Sequence, residues 1–230
     1  MSILVTGHRG CALLEPENTL RGFRHALALG CDYIETDVRL TSDGRMVLIH
    51  DETVDRTTNG TGRVGDLSFA ELRALDAGQG EHVPTLEELL AMLGDRCQLL
   101  CELKGEGVEA EAVRIVSQAE KEFQVVFTSF HLERIRRVKS LCGMLRTGAI
   151  FSEPPADFAS LAREAGAEAV GVNHRHQSAD VIAAAHAEGL HIRAWNPDTE
   201  EDIRAMIALA PDGISSNRPD LVLKLLGRLR

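Results

Sequence analysis

Little in this sequence would hold a membrane, a polyanion or a disulfide scaffold. No apolar stretch in its 230 residues approaches the roughly 20 that span a bilayer. Met1 to Gly10 carries neither a basic leader nor a long apolar region, so the expectation is a soluble, cytoplasmic protein. Basic residues are outnumbered, 25 against 35 acidic, for a formal charge of −10. That argues against a nucleic-acid groove, which is held mainly by clustered Lys and Arg, and a small anionic substrate would have to meet a local positive site. The five cysteines, Cys11, Cys31, Cys97, Cys101 and Cys142, are odd in number and lack CxxC spacing, so they read as small reduced core residues. Aromatics make up 4% of the chain, with a single tryptophan, Trp195. No low-complexity tract, Pro/Ser-rich linker or fixed-period repeat divides the sequence. Residues 1–230 are therefore expected to form one domain, long enough for one substantial core and short for two.

What is present is a recurring strand and helix. Short apolar, β-branched runs occur at Ile3–Thr6, Tyr33–Val38, Gln98–Leu103 and Gln124–Thr128, then at Met144–Ala149, Ala167–Val172, Leu190–Ala194 and Gly213–Ser215. Most are separated by helix-length segments with apolar residues at 3 to 4 spacing, such as Leu20, Phe23, Ala26 and Leu27. Eight such units predict an α/β fold, a (β/α)8 TIM barrel, with a doubly wound open sheet as the alternative. Residues 39–84 break the rhythm. They hold a second apolar run, Met46–Ile49, after the Asp43-Gly44 turn signal, then a Gly- and Thr-rich stretch, Arg56–Gly65. This reads as an insertion after the second strand, a hairpin plus a small cap, rejoining at a helix near Thr85–Leu93.

Polar residues gather where such barrels place their sites, at the C-terminal ends of the strands. The first run leads into His8-Arg9-Gly10, the second contains Glu35 and Asp37, the third ends in Glu102-Leu103-Lys104, the seventh in Trp195-Asn196, and the hairpin in His50-Asp51. Strand alternation puts Tyr33, Glu35 and Asp37 on one face, and Leu100, Glu102 and Lys104 on one face of the next strand. Three carboxylates converging in the barrel mouth repel by about 4 kcal/mol per pair at 4 Å and an effective dielectric near 20. Protons, the Lys104 and Arg9 cations, or a hard divalent ion could offset this. His8 and His50 flank the cluster and titrate near working pH, which makes them acid–base candidates. His174 and His176, beside Arg175, are weaker candidates for a head-group contact. Arg193 shares a strand face with Trp195, so it is expected inside the barrel, where it would need an acidic partner. Glu17-Asn18-Thr19 is expected to include the N-cap of the first helix and to support the site from beneath.

Taken in order, His8-Arg9-Gly10, Pro16-Glu17-Asn18-Thr19, Glu35-Thr36-Asp37-Val38, Thr41 with Asp43-Gly44, His50-Asp51, Arg56-Thr57-Thr58-Asn59-Gly60-Thr61-Gly62, Pro84-Thr85-Leu86 and Glu102-Leu103-Lys104 resemble the glycerophosphodiester phosphodiesterase family. The match is dense over the first 105 or so residues and thinner beyond, where Ser129-Phe130 and Trp195 resemble later family positions. The resemblance implies a barrel with an inserted cap and one divalent cation, Mg²⁺ or Ca²⁺, on Glu35, Asp37 and Glu102. It also implies His8 and His50 as the acid–base pair, in hydrolysis of glycerophosphodiesters to glycerol 3-phosphate and an alcohol. Arg9 and Lys104 would add positive charge at the phosphate, and Trp195 would wall the glycerol or alcohol moiety. Two departures stand out: the family commonly has Trp-Thr-Val-Asn where this chain has Trp195-Asn196-Pro197-Asp198, and Thr-Asp where it has Ser216-Asn217. Both are expected to lie away from the metal and acid–base residues. The mostly polar segment from Thr53 to His82 favours small water-soluble diesters over lysophospholipids. The alternatives are a lysophospholipid or sugar phosphodiesterase, or a non-catalytic glycerophosphoryl-binding module.

Overall fold

The computed structural model describes residues 2–229; Met1 and Arg230, at the ends of the stretch expected to form one domain, lie outside it. In chain order the strands are β1 (Leu4–Gly7), β2 (Tyr33–Leu40), β3 (Met46–Leu48), β4 (Gln98–Leu103), β5 (Val125–Ser129), β6 (Arg146–Phe151), β7 (Ala169–Asn173), β8 (His191–Trp195) and β9 (Gly213–Ser216). The helices are α1 (Leu20–Leu29), α2 (Phe69–Arg73), α3 (Leu86–Leu93), α4 (Val108–Gln118), α5 (Leu132–Leu141), α6 (Phe158–Glu164), α7 (Ala179–Ala187), α8 (Glu200–Leu209) and α9 (Pro219–Leu225). Each of the eight expected runs is a strand, and all eight pair in parallel. Thr6 beside Tyr33 closes the ring between β1 and β2, so the sheet is a (β/α)8 barrel and not an open doubly wound sheet. No helix of the described residues is long and apolar enough to cross a membrane.

Strands buried on both faces explain why the runs are so apolar. Val5, Ile34, Val38, Leu99, Cys101 and Phe127 turn outward onto the helices and are fully or almost fully buried there. The helices carry local start and stop signals. The Thr19 hydroxyl caps α1 by accepting from the Gly22 N–H, and Gly30 ends it in the left-handed region. Thr85 and Glu88 form a reciprocal capping box at the start of α3.

Between β2 and α3 the chain leaves the ring. Strand β3 pairs antiparallel to β2, from Val38 beside Leu48 to Leu40 beside Met46, and stands outside the barrel as a ninth strand. A short 3-10 turn at Val64–Asp66 and helix α2 follow. This excursion holds itself together: Val47, Ile49, Val54, Val64, Leu72, Ala77 and Val83 form a separate buried cluster. Its few large apolar residues are spent inward, which leaves a polar surface toward the barrel mouth.

Candidate active site

Parallel pairing sets Asp37 next to Glu102 across β2 and β4, with Glu35 two residues earlier on the same face. The three carboxylates are buried, and their oxygens come within 4.8 Å of one another, the one such group among the described residues. Two cations answer them. Arg9 Nε lies 3.3 Å from Asp37, and Lys104 Nζ lies 2.8 Å from Glu102 and 3.9 Å from Asp37. Burial, and then the charges of Asp37 and Glu102, push the Glu35 carboxyl well above its ordinary range. Burial also acts to raise Asp37, but Arg9, His50, Lys104 and the Asn18 amide outweigh it and hold that carboxyl low. Burial, and then the charge of Asp37, raise Glu102 to about 7, so even with Arg9 and Lys104 beside them the three carboxyls do not all ionise easily. Glu35 Oε1 and Asp37 Oδ1 are buried with no hydrogen-bond partner among the described residues. Hard oxygen donors with unspent lone pairs, buried together at the edge of a cavity, fit a divalent cation.

The loop after β1 is bent sharply to bring its side chains here. A Cβ on Gly7 would sit 2.2 Å from the Gly10 carbonyl oxygen, and Gly10 takes a φ of +85° with Gly22 backbone 2.7 Å from its missing Cβ. Arg9 between them, and Asn18 further along, are non-glycine residues with positive φ, 49° and 54°. Each costs about 1–3 kcal/mol, and each is held by the site. The Arg9 N–H donates to Glu35 Oε2 at 2.8 Å, and the Arg9 guanidinium to Glu17 at 3.0 Å. Asn18 Nδ2 donates to Asp37 Oδ2 at 3.0 Å while its Oδ1 accepts from Thr36 Oγ1 at 2.7 Å. Glu17-Asn18-Thr19 thus both caps α1 and supports the carboxylates.

The two histidines stand on opposite flanks. His8 is anchored by its N–H to the Ser216 carbonyl, and its Nε2 lies 3.7 Å from Glu35 Oε2. Its Nδ1 is 2.7 Å from Asn217 Oδ1, and its Nε2 is 3.3 Å from Asn196 Nδ2. Burial, and then the Arg9 charge, bring this imidazole down from 6.5 to about 4. His50 follows β3, with its carbonyl accepting from Arg39 Nε at 3.0 Å. Its Nδ1 donates to Asp51 Oδ1 at 2.6 Å, and Asp51 accepts in turn from Arg56, which also grips both oxygens of Glu17. Burial lowers His50, against the pull of Asp37 and Asp51.

Asn196 and Asn217 overturn one expectation. The departures at residues 196–198 and 216–217 do not lie away from the acid–base residues, because β9 pairs with β1 and β8 with β9, which brings Asn217 and Asn196 to His8. Arg193 departs from expectation too. It is inside the barrel, but its partners are the Tyr33 ring, 3.9 Å from guanidinium carbon to centroid, and the Thr6 hydroxyl at 3.2 Å. An aromatic face replaces the expected carboxylate. Burial lowers the Arg193 pKa.

A cavity of about 300 Å³ opens above the carboxylates, lined by His8, Arg9, Glu35, His50, Glu102, Lys104, Phe130, Trp195 and Asn196 among others. Asp37 is beneath its floor, fully buried. Trp195 and Phe130 meet edge to face, centroids 5.7 Å apart, and Lys104 Nζ stands 5.2 Å from the Phe130 centroid. The cavity therefore has one aromatic wall, one cationic side and an acidic floor. His174 and His176 form a 3-10 turn after β7 and do not line it; His174 lies 4.0 Å from Asp202. Asp51, Arg56, Asn196 and Asn217 stand in the motifs read from the sequence but carry no role in that reading. Adjacency to His50 was the available sign for Asp51.

Residues 8–221 match the model of the glycerophosphoryl diester phosphodiesterase family. A glycerophosphodiester phosphodiesterase of Caldanaerobacter subterraneus subsp. tengcongensis is 34% identical, with 98% of each chain covered. The crystal structure of a glycerophosphodiester phosphodiesterase from Agrobacterium tumefaciens is 31% identical and superposes with a TM-score of 0.84, over 96% of this chain and 99% of that one. A phosphodiesterase from Oleispira antarctica, solved with its product sn-glycerol-3-phosphate, is 26% identical with a TM-score of 0.90, over 97% and 96% of the two chains. With the barrel, the buried carboxylate trio and the paired imidazoles in place, this chain belongs to the glycerophosphoryl diester phosphodiesterase family.

Proposed function

We propose that the chain hydrolyses small, water-soluble glycerophosphodiesters, such as glycerophosphocholine or glycerophosphoethanolamine, to glycerol 3-phosphate and an alcohol. The observation that carries this is the juxtaposition of Glu35, Asp37 and Glu102, with two unspent buried oxygens, and two imidazoles on opposite flanks of one cavity. Family membership and the product held by the Oleispira relative support the reaction class.

Glu35, Asp37 and Glu102 would hold one divalent cation, Mg²⁺ or Ca²⁺. When bound, that ion neutralises phosphate charge and stabilises the charge that develops at phosphorus. Arg9 and Lys104 flank the same oxygens and add to that stabilisation. His8, neutral and facing the pocket through Nε2, accepts the proton of the attacking oxygen, whether of water or of a neighbouring glycerol hydroxyl. As the new O–P bond forms, the P–O bond to the leaving alcohol breaks, and His50 donates a proton to that oxygen; where the nucleophile is the glycerol hydroxyl the first product is a cyclic phosphodiester, and a second displacement by water opens it to glycerol 3-phosphate. The partners favour this order: a carboxylate on Nδ1 supports an imidazolium at His50, whereas a neutral amide on Nδ1 leaves His8 a free base. Trp195 and Phe130 would pack against the apolar edges of the substrate.

No large apolar residue between Thr53 and His82 is left strongly exposed, so the excursion itself offers an acyl chain no apolar bed. The test is release of glycerol 3-phosphate from a panel of glycerophosphodiesters and lysophospholipids, with Mg²⁺, with Ca²⁺ and after exhaustive chelation. Release from the small diesters, lost on chelation and restored by one of the ions, is expected. Release from no substrate would refute the reaction, and release only from acylated substrates would replace the substrate class.

A further inference from the structure

The reaction scheme leaves unused the pair behind His8. Asp198 Oδ1 accepts from the Asn217 N–H at 2.8 Å and from Ser216 Oγ at 2.9 Å, and Asp198 Oδ2 accepts from Asn217 Nδ2 at 2.7 Å. A carboxylate can only accept, so the Asn217 amide has a single orientation: Nδ2 toward Asp198, Oδ1 toward His8. His8 Nδ1, 2.7 Å from that oxygen, must then carry the ring proton of the neutral imidazole. The lone pair is left on Nε2, on the side of Glu35 and the cavity. Asn196 Nδ2 covers that lone pair at 3.3 Å, a long contact that a substrate oxygen can replace.

We propose that Asn217, locked by Asp198, is a positioning residue that holds His8 in its Nδ1–H tautomer and so presents Nε2 as the proton acceptor. The inference rests on the reading of His8 as the base. It also gives a reason for the sequence departures. Against the family pattern, in which Asn stands at position 198 and Asp at 217, this chain has the two exchanged. Either arrangement offers one oxygen to His8 and one matched donor–acceptor contact between the pair, so the tautomer survives the exchange while the charge moves one residue away from the imidazole.

Breaking the match on one side makes a sharp test. In Asp198→Asn, the two donors at Oδ1 keep the new amide oxygen facing them, which puts an NH₂ where Oδ2 was. Asn217 must then turn over and aim its own NH₂ at His8 Nδ1, which favours the Nε2–H tautomer and blocks the base. The exchanged variant Asp198→Asn/Asn217→Asp restores an acceptor to His8 Nδ1–H. The readouts are kcat and KM on the best small diester and the ¹⁵N resonances of the His8 ring in histidine-labelled protein, assigned by their loss in His8→Gln. Asp198→Asn is expected to lower kcat by about 100-fold, with little change in KM, and to move the His8 proton from Nδ1 to Nε2. The exchanged variant, which lacks Asp198 equally, is expected to recover both the Nδ1–H signature and most of kcat. Retention of the Nδ1–H form in Asp198→Asn, a kcat within threefold of the parent, or an exchanged variant no better than Asp198→Asn would each overturn the proposal. The ring signature is read without substrate, so it decides the tautomer even if the proposed reaction fails.

Discussion

The two flanks of the cavity solve the problem of holding an imidazole in opposite ways. His8 sits on the barrel rim, its side chain 14% exposed, and touches a neutral amide whose carboxylate support is one residue removed. His50 sits on the excursion after β2, its side chain 29% exposed, and touches a carboxylate directly, with Arg56 and Glu17 behind it. Burial and Arg9 make protonation of the first costly. Burial lowers the pKa of the second too, but there Asp37 and the directly bonded Asp51 pull the other way. In the proposed scheme, a base and an acid are built from the same side chain by changing the charge of the neighbour on Nδ1.

The comparison breaks most completely if either ring is removed. His8→Ala and His50→Ala are each expected to lower kcat by about 10²- to 10⁴-fold, the usual range for a general acid or base, with the unfolding midpoint little changed. The two should differ by substrate. Activated diesters with good leaving groups, such as nitrophenyl esters, need no donor, so they should rescue His50→Ala and not His8→Ala. The reverse pattern would exchange the two roles.

The second test uses protons alone. An ordinary imidazole titrates at 6.5, and His8 in the fold at about 4. Between these values the unfolded chain binds the proton and the native one does not. Stability from this group is therefore whole above about pH 6.5 and falls as pH drops toward 4, by about 3 kcal/mol over the full span. Urea unfolding in chelator at pH 7.5 and 4.5 should show the parent losing about 2–3 kcal/mol more than His8→Gln. Equal losses would place His8 in an ordinary setting and dissolve the contrast with His50.

How much of this was legible in the sequence follows from distance along the chain. The strands are readable because burial on both faces leaves them as apolar runs, and the carboxylates because Glu35 and Asp37 share one strand's parity. The hairpin is readable because Asp43-Gly44 is a turn signal, and Gly44 does take a φ of +77°. The support behind His8 is different. Asn217 is 209 residues away and becomes a neighbour only when the barrel closes. No local pattern encodes that meeting, so a correct fold expectation still placed Ser216-Asn217 far from the chemistry. Arg193 failed for another reason: the expectation priced a buried charge in acidic partners alone, and an aromatic ring at 3.9 Å does not look like a counter-charge in a sequence.

A third test cuts the His50 flank at its carboxylate. Asp51→Asn replaces a charge-assisted hydrogen bond with a neutral one, a difference of about 1–1.5 kcal/mol. A fall in kcat of roughly 10-fold follows if the whole of it acts in the transition state. Asp51 is held below the ordinary carboxylate range chiefly by Arg56, then by His50. It is thus an anion throughout the working range, and the loss should persist at every pH tested.

The smallest effect belongs to Arg56, and its size is the most discriminating. Its guanidinium reaches Asp51 at 2.6 Å and Glu17 at 2.7 and 2.8 Å, joining the excursion to the loop that carries Arg9. Half of its side chain is exposed, so solvent and salt screen these contacts, and a pair of this kind contributes about 0–1 kcal/mol. Arg56→Gln should therefore cost kcat less than about fivefold, with the loss shrinking as ionic strength rises. If Arg56 only tunes Asp51, the variant in an Asp51→Asn background should add nothing further. If it also holds Glu17, and through it Arg9, the two losses should multiply and KM should rise, because Arg9 lines the cavity and is the residue proposed to meet the phosphate. A cycle of the two substitutions at low and high salt separates these outcomes, and so decides whether the His8 and His50 flanks are independent devices or one network joined through Arg56.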